Sequence, residues 1–256
     1  MRAEGRTGRR TVPDSASLSG RTVPQLPTLN SQPTTAAAVV LAAGRGTRMG
    51  ASVTDKVWAQ LGGVPVLLHS LRAFERAPSV GSIVVVVRAD TLHATRALVE
   101  RHGLRKVAAV VVGGERRQDS VLAGLNAVER AEIVLVHDAA RPLIDQDTIE
   151  RGVALAREHG AAVPAVPVRD TIKRVVDGRV VETPSRAELW AALTPQCFRL
   201  ELLRRAHAES ADDATDDCVL VERLGHPVVA YPSSPRNIKI TVADDLRIAE
   251  ALLGGG

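Results

Sequence analysis

Aromatic side chains are almost missing from this 256-residue chain: two Trp, two Phe and one Tyr make up 2% of it. A surface that stacks nucleic-acid bases needs more of them, so no nucleic-acid partner is expected. Cysteine is equally scarce. Cys197 and Cys218 are too few for a disulfide framework, and no Cys-x-x-Cys pair or His/Cys cluster offers a zinc site. Long apolar runs are lacking too. The longest clean stretches, Ala36–Ala43 and Ile83–Val87, are strand-sized, which excludes a membrane-spanning helix and leaves no membrane partner. Nor does the folded part carry a strong excess of one charge. Residues 1–35 hold five arginines against two acids, so +3 of the formal +4 sits there and the remainder is nearly neutral.

Residues 1–35 are rich in Arg, Ser, Thr and Pro without periodicity, and they bury too little to offset their conformational entropy. The expectation is a disordered N-terminal extension. No apolar core of secretory length is present, and Arg9-Arg10 is followed by Thr-Val-Pro-Asp rather than a hydrophobic run. An Arg/Ser-rich, acid-poor start fits plastid import as well as a plain bacterial extension. A cytoplasmic bacterial protein is the reading adopted.

What the chain does contain is an alternation of strands and helices. Strands are expected at Ala36–Ala43, Ile83–Val87, Val107–Val112, Ile133–Val136 and Ala161–Val168. Helices are expected at Val64–Arg76, Thr91–His102, Ser120–Arg130 and Asp145–His159. Continuous apolar strands separated by helices imply an α/β fold with a mostly parallel sheet covered on both faces. The pattern breaks at Thr171–Val181, where Ile172, Arg174 and Val176 alternate around Asp177-Gly178, a hairpin signal with one apolar face. Helices at Arg199–Glu209 and Asp216–Leu224, short strands at Pro227–Tyr231 and Asn237–Ile240, and a helix at Ala243–Leu253 complete the expectation.

Ligands of such sheets bind beyond the carboxyl ends of the strands. After the first strand, Gly44-Arg45-Gly46-Thr47-Arg48 gives backbone N–H groups close access to an anion, with Arg48 as a fork for phosphate oxygens and Lys56 beyond. Neither the dinucleotide fingerprint nor the P-loop fits, because Met49 replaces the third glycine and no Gly-Lys-Ser/Thr follows. After the third strand comes Gly113-Gly114-Glu115-Arg116-Arg117-Gln118-Asp119-Ser120, in which Asp119 or Ser120 can cap a helix. After the fourth strand, Asp138 is placed either to hold Mg²⁺ together with substrate phosphates or to cap a helix. His137 beside it reads as a hydrogen-bonded structural residue. Arg186, Thr215 and Lys239 are later candidates. The acidic run Asp212, Asp213, Asp216 and Asp217 reads as a flexible face and helix start, and Cys218 as a small core residue.

Together these segments resemble the 2-C-methyl-D-erythritol 4-phosphate cytidylyltransferase family of the non-mevalonate isoprenoid pathway. The segments carrying the resemblance are Ala42–Gly50, Arg117–Leu125, Val136–Pro142, Val168–Lys173, Ala192–Gln196, Thr215–Asp217 and Asn237–Thr241, in family order. The resemblance implies a Rossmann-like three-layer nucleotidyltransferase fold over residues 36–253, with a protruding hairpin arm at about 168–189. It also implies transfer of a cytidylyl group from CTP to methylerythritol phosphate. By the same carry-over, Arg48, Lys56, Arg186 and Lys239 are catalytic. Ala42, Ala43, Gly44, Gly46, Gly114, Arg117, Ser120 and Asp138 hold CTP, and Arg141, Thr171, Thr194 and Thr215 hold the acceptor. Mg²⁺ sits by Asp138, and the arm completes a partner's site in a homodimer. A ribitol 5-phosphate cytidylyltransferase and a non-catalytic nucleotide-binding protein remain as alternatives. One departure stands out: Asp55-Lys56-Val57 replaces the family's usual Pro-Lys-Gln, and Asp55 is expected to offset part of the local positive charge.

Overall fold

The computed structural model describes residues 36–44, 55–210 and 213–254. The expected disordered extension at 1–35 lies outside them, as do Gly46 and Arg48. In chain order the elements are β1 (Ala36–Ala42), β2 (Gln60–Leu61), β3 (Val64–Pro65), α1 (Val66–Arg76), β4 (Val80–Val87), α2 (Leu92–Arg101) and β5 (Val107–Val112). There follow α3 (Arg117–Asn126), β6 (Ile133–Asp138), α4 (Gln146–His159), β7 (Ala161–Pro167), β8 (Arg174–Val176) and β9 (Arg179–Glu182). The last are β10 (Trp190–Ala192), β11 (Gln196–Arg199), α5 (Leu200–Glu209), α6 (Asp217–Arg223), β12 (Val229–Pro232) and α7 (Ala243–Gly254).

The unbroken apolar character of β1 has a direct cause. Successive side chains point to opposite faces, and both faces are covered. Ala36, Ala38, Val40 and Ala42 pack with Leu67, Leu68, Leu71 and Phe74 of α1 and Ile149 and Val153 of α4. Ala37 and Val39 pack with Val121 and Leu125 of α3, Leu203 of α5, and Leu220 and Val221 of α6. The sheet runs β5-β4-β1-β6, all parallel, and then meets β11 antiparallel.

Three features differ from expectation. First, residues 190–199 form two strands that follow one another along a single edge of β7, both antiparallel to it. Because β11 and β12 both pair at Ala162, β12 must occupy the opposite edge of β7, where it runs parallel. The sheet is therefore mixed. Second, Asn237–Ile240 is not a strand. Its polar backbone is taken up by the loop after β6: Ile240 N–H donates to Ala140 O at 2.8 Å, and Arg141 Nη1 donates to Asn237 O at 2.8 Å. Third, α1 begins at Val66 because Val64 and Pro65 pair with Gln60 and Leu61.

The hairpin β8–β9 is present as a separate two-stranded sheet, turning through Asp177 (φ 49°) and Gly178 (φ 74°), as a two-residue hairpin loop requires. Valines lie on both of its faces, not on one, because Val175 and Val176 are consecutive in β8, as are Val180 and Val181 in β9; Val175 lies opposite Val180. All four are about half exposed, from 47% to 59%.

Candidate functional site

The register places Leu41 beside Asp138 on one side and Val86 on the other, with Val87 beside Val112. The carboxyl ends of β1, β4, β5 and β6 thus form one rim. At its β1/β5 end, Gly113 sits between two neighbours. A Cβ there would meet Ser120 Oγ at 2.6 Å and Ala43 Cβ at 2.9 Å, so only glycine lets the end of β1 and the start of α3 close on each other. Ser120 is buried and donates its hydroxyl proton to Arg116 O at 3.2 Å. Asp119, three residues into the turn, accepts the Arg116 N–H at 3.2 Å; it caps α3 from inside the helix. Ala42, Ala43, Gly114 and Ser120 are therefore neighbours here, with Gly44 exposed just beyond them.

At the β6 end, Asp138 gathers the cations. Lys239 Nζ donates to its Oδ2 at 2.6 Å, and Arg117 Nε stands 3.6 Å from its Oδ1, too far for a hydrogen bond. Burial alone would raise the Asp138 carboxyl, but Lys239, Arg117 and Arg141 outweigh it and hold the group well below the usual carboxylate range. It is a fixed anion at neutral pH. Lys239 reaches it although 101 residues separate the two, because the 237–240 segment is stitched to the loop after β6.

Behind the carboxylate lies a directional chain of hydrogen bonds. Thr194 Oγ1 accepts the Asp138 N–H at 3.1 Å and contacts His137 Nδ1 at 3.1 Å. Arg141 O can only accept, so the neutral ring carries its proton on Nε2 and donates it there at 3.2 Å, and Nδ1 accepts the Thr194 hydroxyl proton. Asn237 Nδ2 donates to Thr194 O at 2.9 Å and closes the set. Arg141 and Thr194 are both buried, and burial lowers the Arg141 guanidinium's affinity for its proton.

His137 is fully enclosed, with its ring edge-on to Phe74 at 5.0 Å. Burial pushes its imidazole down to about 4, although Asp138 and two hydrogen bonds pull the other way. The unfolded chain takes up a proton near the ordinary value of 6.5 that the folded chain refuses until about 4. Stability is therefore intact above that upper limit and declines by about 3 kcal/mol as pH falls through the window. Thermal midpoints measured near neutral pH and near the lower limit should show the drop, and His137→Gln should show less of it.

Lys56 is half-buried between Asp55 and Val57, both buried. The Asp55 carboxylate has a structural task beside Lys56. It is bound to Arg88 Nη1 at 2.5 Å and to the Val57 N–H at 3.2 Å, so it anchors the turn. Arg186 donates to Arg169 O at 2.6 Å within the arm, and Thr171 is exposed there; the structure does not bring either to Asp138 in the same chain. Thr215 is exposed just before α6.

Asp217, read from sequence as part of a flexible acidic face, is 1% exposed and binds Arg117 Nη1 at 2.8 Å. A usable signal was present, since Asp217, Leu220 and Val221 share one helical face at i, i+3 and i+4, and an acid on that face must meet a cation.

The rim can hold phosphate groups among Lys239, Arg117 and Arg141 while Asp138 stays ionised. A match to the family model described as 2-C-methyl-D-erythritol 4-phosphate cytidylyltransferase covers residues 36–255. The chain is 47% identical over 225 residues to a protein of that name from Geobacter metallireducens, covering 84% of this chain and 96% of that one. It is 49% identical to another from Pelotomaculum thermopropionicum, covering 85% and 93%. Among solved structures, that of a 4-diphosphocytidyl-2C-methyl-D-erythritol synthase from Anaerococcus prevotii is similar with a TM-score of 0.76 at 27% identity, covering 87% and 100%. That of a 2-C-methyl-D-erythritol 4-phosphate cytidylyltransferase from Thermus thermophilus has a TM-score of 0.70 at 32% identity, covering 84% and 98%. With its fold, its rim and nearly its whole described length in agreement, the chain belongs to the 2-C-methyl-D-erythritol 4-phosphate cytidylyltransferase family.

Proposed function

We propose that the protein transfers the cytidylyl group of CTP to 2-C-methyl-D-erythritol 4-phosphate. A 4-phosphate oxygen bonds to the α-phosphorus, the bond from that phosphorus to the bridging oxygen breaks, and pyrophosphate leaves with the electron pair. The observation that carries the reading is the Asp138–Lys239 pair at the rim, with Arg117 and Arg141 beside it. A phosphate monoester is already an anionic nucleophile, so the site needs no general base. His137 does not serve as one, being buried with both ring nitrogens engaged. What the reaction demands is that two anions be brought into line and that charge growing on the α-phosphoryl oxygens be neutralised. Arg48, Lys56 and Lys239 take that role. Gly46, outside the described residues, is assigned to CTP with Gly44, and the Ala43–Gly113–Ser120 corner receives the base.

Mg²⁺ fits the donor set at Asp138. Among the described residues no group of three or more His, Cys, Asp or Glu forms a closed cage. A single ionised carboxylate completed by substrate phosphates is the arrangement magnesium favours. When bound, the ion would add positive charge to the triphosphate.

The exposed valines of the arm, with half-exposed Trp190 at its base, favour burial against a second copy of the chain. In that homodimer Arg186 and Thr171 would reach the partner's acceptor site. Among the described residues no helix is long and apolar enough to cross a membrane, which accords with a cytoplasmic enzyme. The test is pyrophosphate release from CTP with either methylerythritol phosphate or ribitol 5-phosphate as acceptor. Turnover with the first is expected, and turnover with ribitol phosphate alone would overturn the assignment. Light scattering should give the mass of two chains; an active monomer would remove the arm from the acceptor site.

A further inference from the structure

The buried carboxylate Asp217 has no part in the chemistry described above, yet the whole first turn of α6 is arranged around it. Its Oδ2 accepts from Arg117 Nη1 at 2.8 Å, its Oδ1 contacts His207 Nε2 at 3.2 Å, and its backbone N–H donates to Gln196 Oε1 at 3.0 Å. Gln196 in turn donates from Nε2 to Asp216 Oδ2 at 2.8 Å, and it lies directly opposite Val136 in the sheet, two residues before Asp138. Asp217 is thus fixed to β11, the neighbour of the strand that carries the rim carboxylate. Desolvating an acid so completely is costly without a strong partner, and Arg117 supplies the charge.

Arg117 is the first residue of α3, at the opposite side of the rim from β11, and its guanidinium lies between two carboxylates. One is held at hydrogen-bond distance and the other at 3.6 Å. Guanidinium and carboxylate normally close into a forked pair. Here the guanidinium is closed on Asp217 and stays open toward Asp138.

We propose that Asp217 is a positioning residue for nucleotide binding: it holds Arg117 back from Asp138, so that the guanidinium faces the triphosphate and Asp138 keeps an oxygen for a cation. The inference rests on the function proposed above and deepens it. With Asp217 neutralised, Arg117 loses its fixed partner and closes on the remaining carboxylate, and both groups are withdrawn from the nucleotide together.

The experiment is calorimetric titration of the full-length protein with CTP in the presence of magnesium, for the wild type, Asp217→Asn, Arg117→Gln and the double variant, alongside thermal midpoints. Asp217→Asn should weaken CTP binding by ~10-fold or more, the scale of one charge-assisted hydrogen bond. Arg117→Gln should do the same, and the double variant should bind no worse than Arg117→Gln alone, because Asp217 acts only through that side chain. Native-like CTP affinity in a folded Asp217→Asn protein, or penalties that multiply in the double variant, would overturn the proposal. Should Asp217→Asn not fold, Asp217→Glu keeps the charge and displaces the guanidinium by a methylene. It should again weaken CTP by ~10-fold or more, and unchanged affinity would overturn the proposal. A wild type that does not bind CTP at all would strike down the functional reading, and this inference with it. That outcome is distinguishable from the failures above, in which the wild type binds.

Discussion

Lys56→Ala is expected to lower kcat by at least ~100-fold, the scale of losing one donor that stabilises charge in a transition state. The reasoning begins with the turn that carries it. Asp55 O accepts the N–H groups of Trp58 and Ala59 at 3.0 and 3.1 Å, and Val57 O accepts that of Leu67 at 2.9 Å. Val57 is 2% exposed, within the core that α1 builds. The backbone on either side of Lys56 is therefore fixed to the body of the protein, and the ammonium acts from a rigid base. Fixed placement matters because a charge that must reorganise during reaction stabilises the transition state less. Asp55 adds to that rigidity, since its carboxylate is tied to Arg88, which also grips Asp90 at 3.0 Å. Steady-state assays with both substrates saturating measure the change. Near-normal turnover would mean that Lys56 has no part in the chemistry.

Lys239→Ala should match it, a loss of ~100-fold or more in kcat, together with a lower thermal midpoint. Lys239 is 40% exposed but Asp138 only 13%, so the variant leaves a largely buried carboxylate without its nearest cation. For catalysis the same pair matters as well. Its ammonium sits 2.6 Å from the rim carboxylate, where the transferred phosphoryl group is proposed to lie. Removing it takes away positive charge there and leaves Asp138 facing the phosphates with only Arg117 and Arg141 near it. A Lys239→Ala protein whose turnover falls only as far as its folded fraction does would show a structural role instead. A folded variant with normal turnover would take Lys239 out of the mechanism.

The sheet's parallel half was legible because burial on both faces leaves an unmistakable mark, as in Ala36–Ala42, where no polar residue interrupts. The rim loops were legible for a different reason: Gly113-Gly114 and Asp138 stand where a strand stops, and only function or a turn explains such residues there. Residues 190–199 were not legible. Each piece is only three or four residues long, and a strand that adds antiparallel at the middle of a parallel sheet carries no periodic signature. Asn237–Ile240 misled by its alternation, since its partners are a loop and an arginine side chain rather than a neighbouring strand. Asp217 was hidden by composition. Among four nearby acids it looked solvated, and only the turn of α6 decides that this one faces inward while Asp213 remains at the surface beside Arg116.

The late insertion of β11 also bears on synthesis. In a ribosome-bound chain β6 is complete by residue 138, but its second neighbour comes from residues 196–199, and β7 is never hydrogen-bonded to it directly. Until that segment emerges, a Val/Leu-rich edge ending in the future carboxylate stands open, the kind of edge that pairs with other chains. Premature termination anywhere between β7 and β11 would leave that edge uncapped, and the product would be prone to aggregate rather than merely inactive.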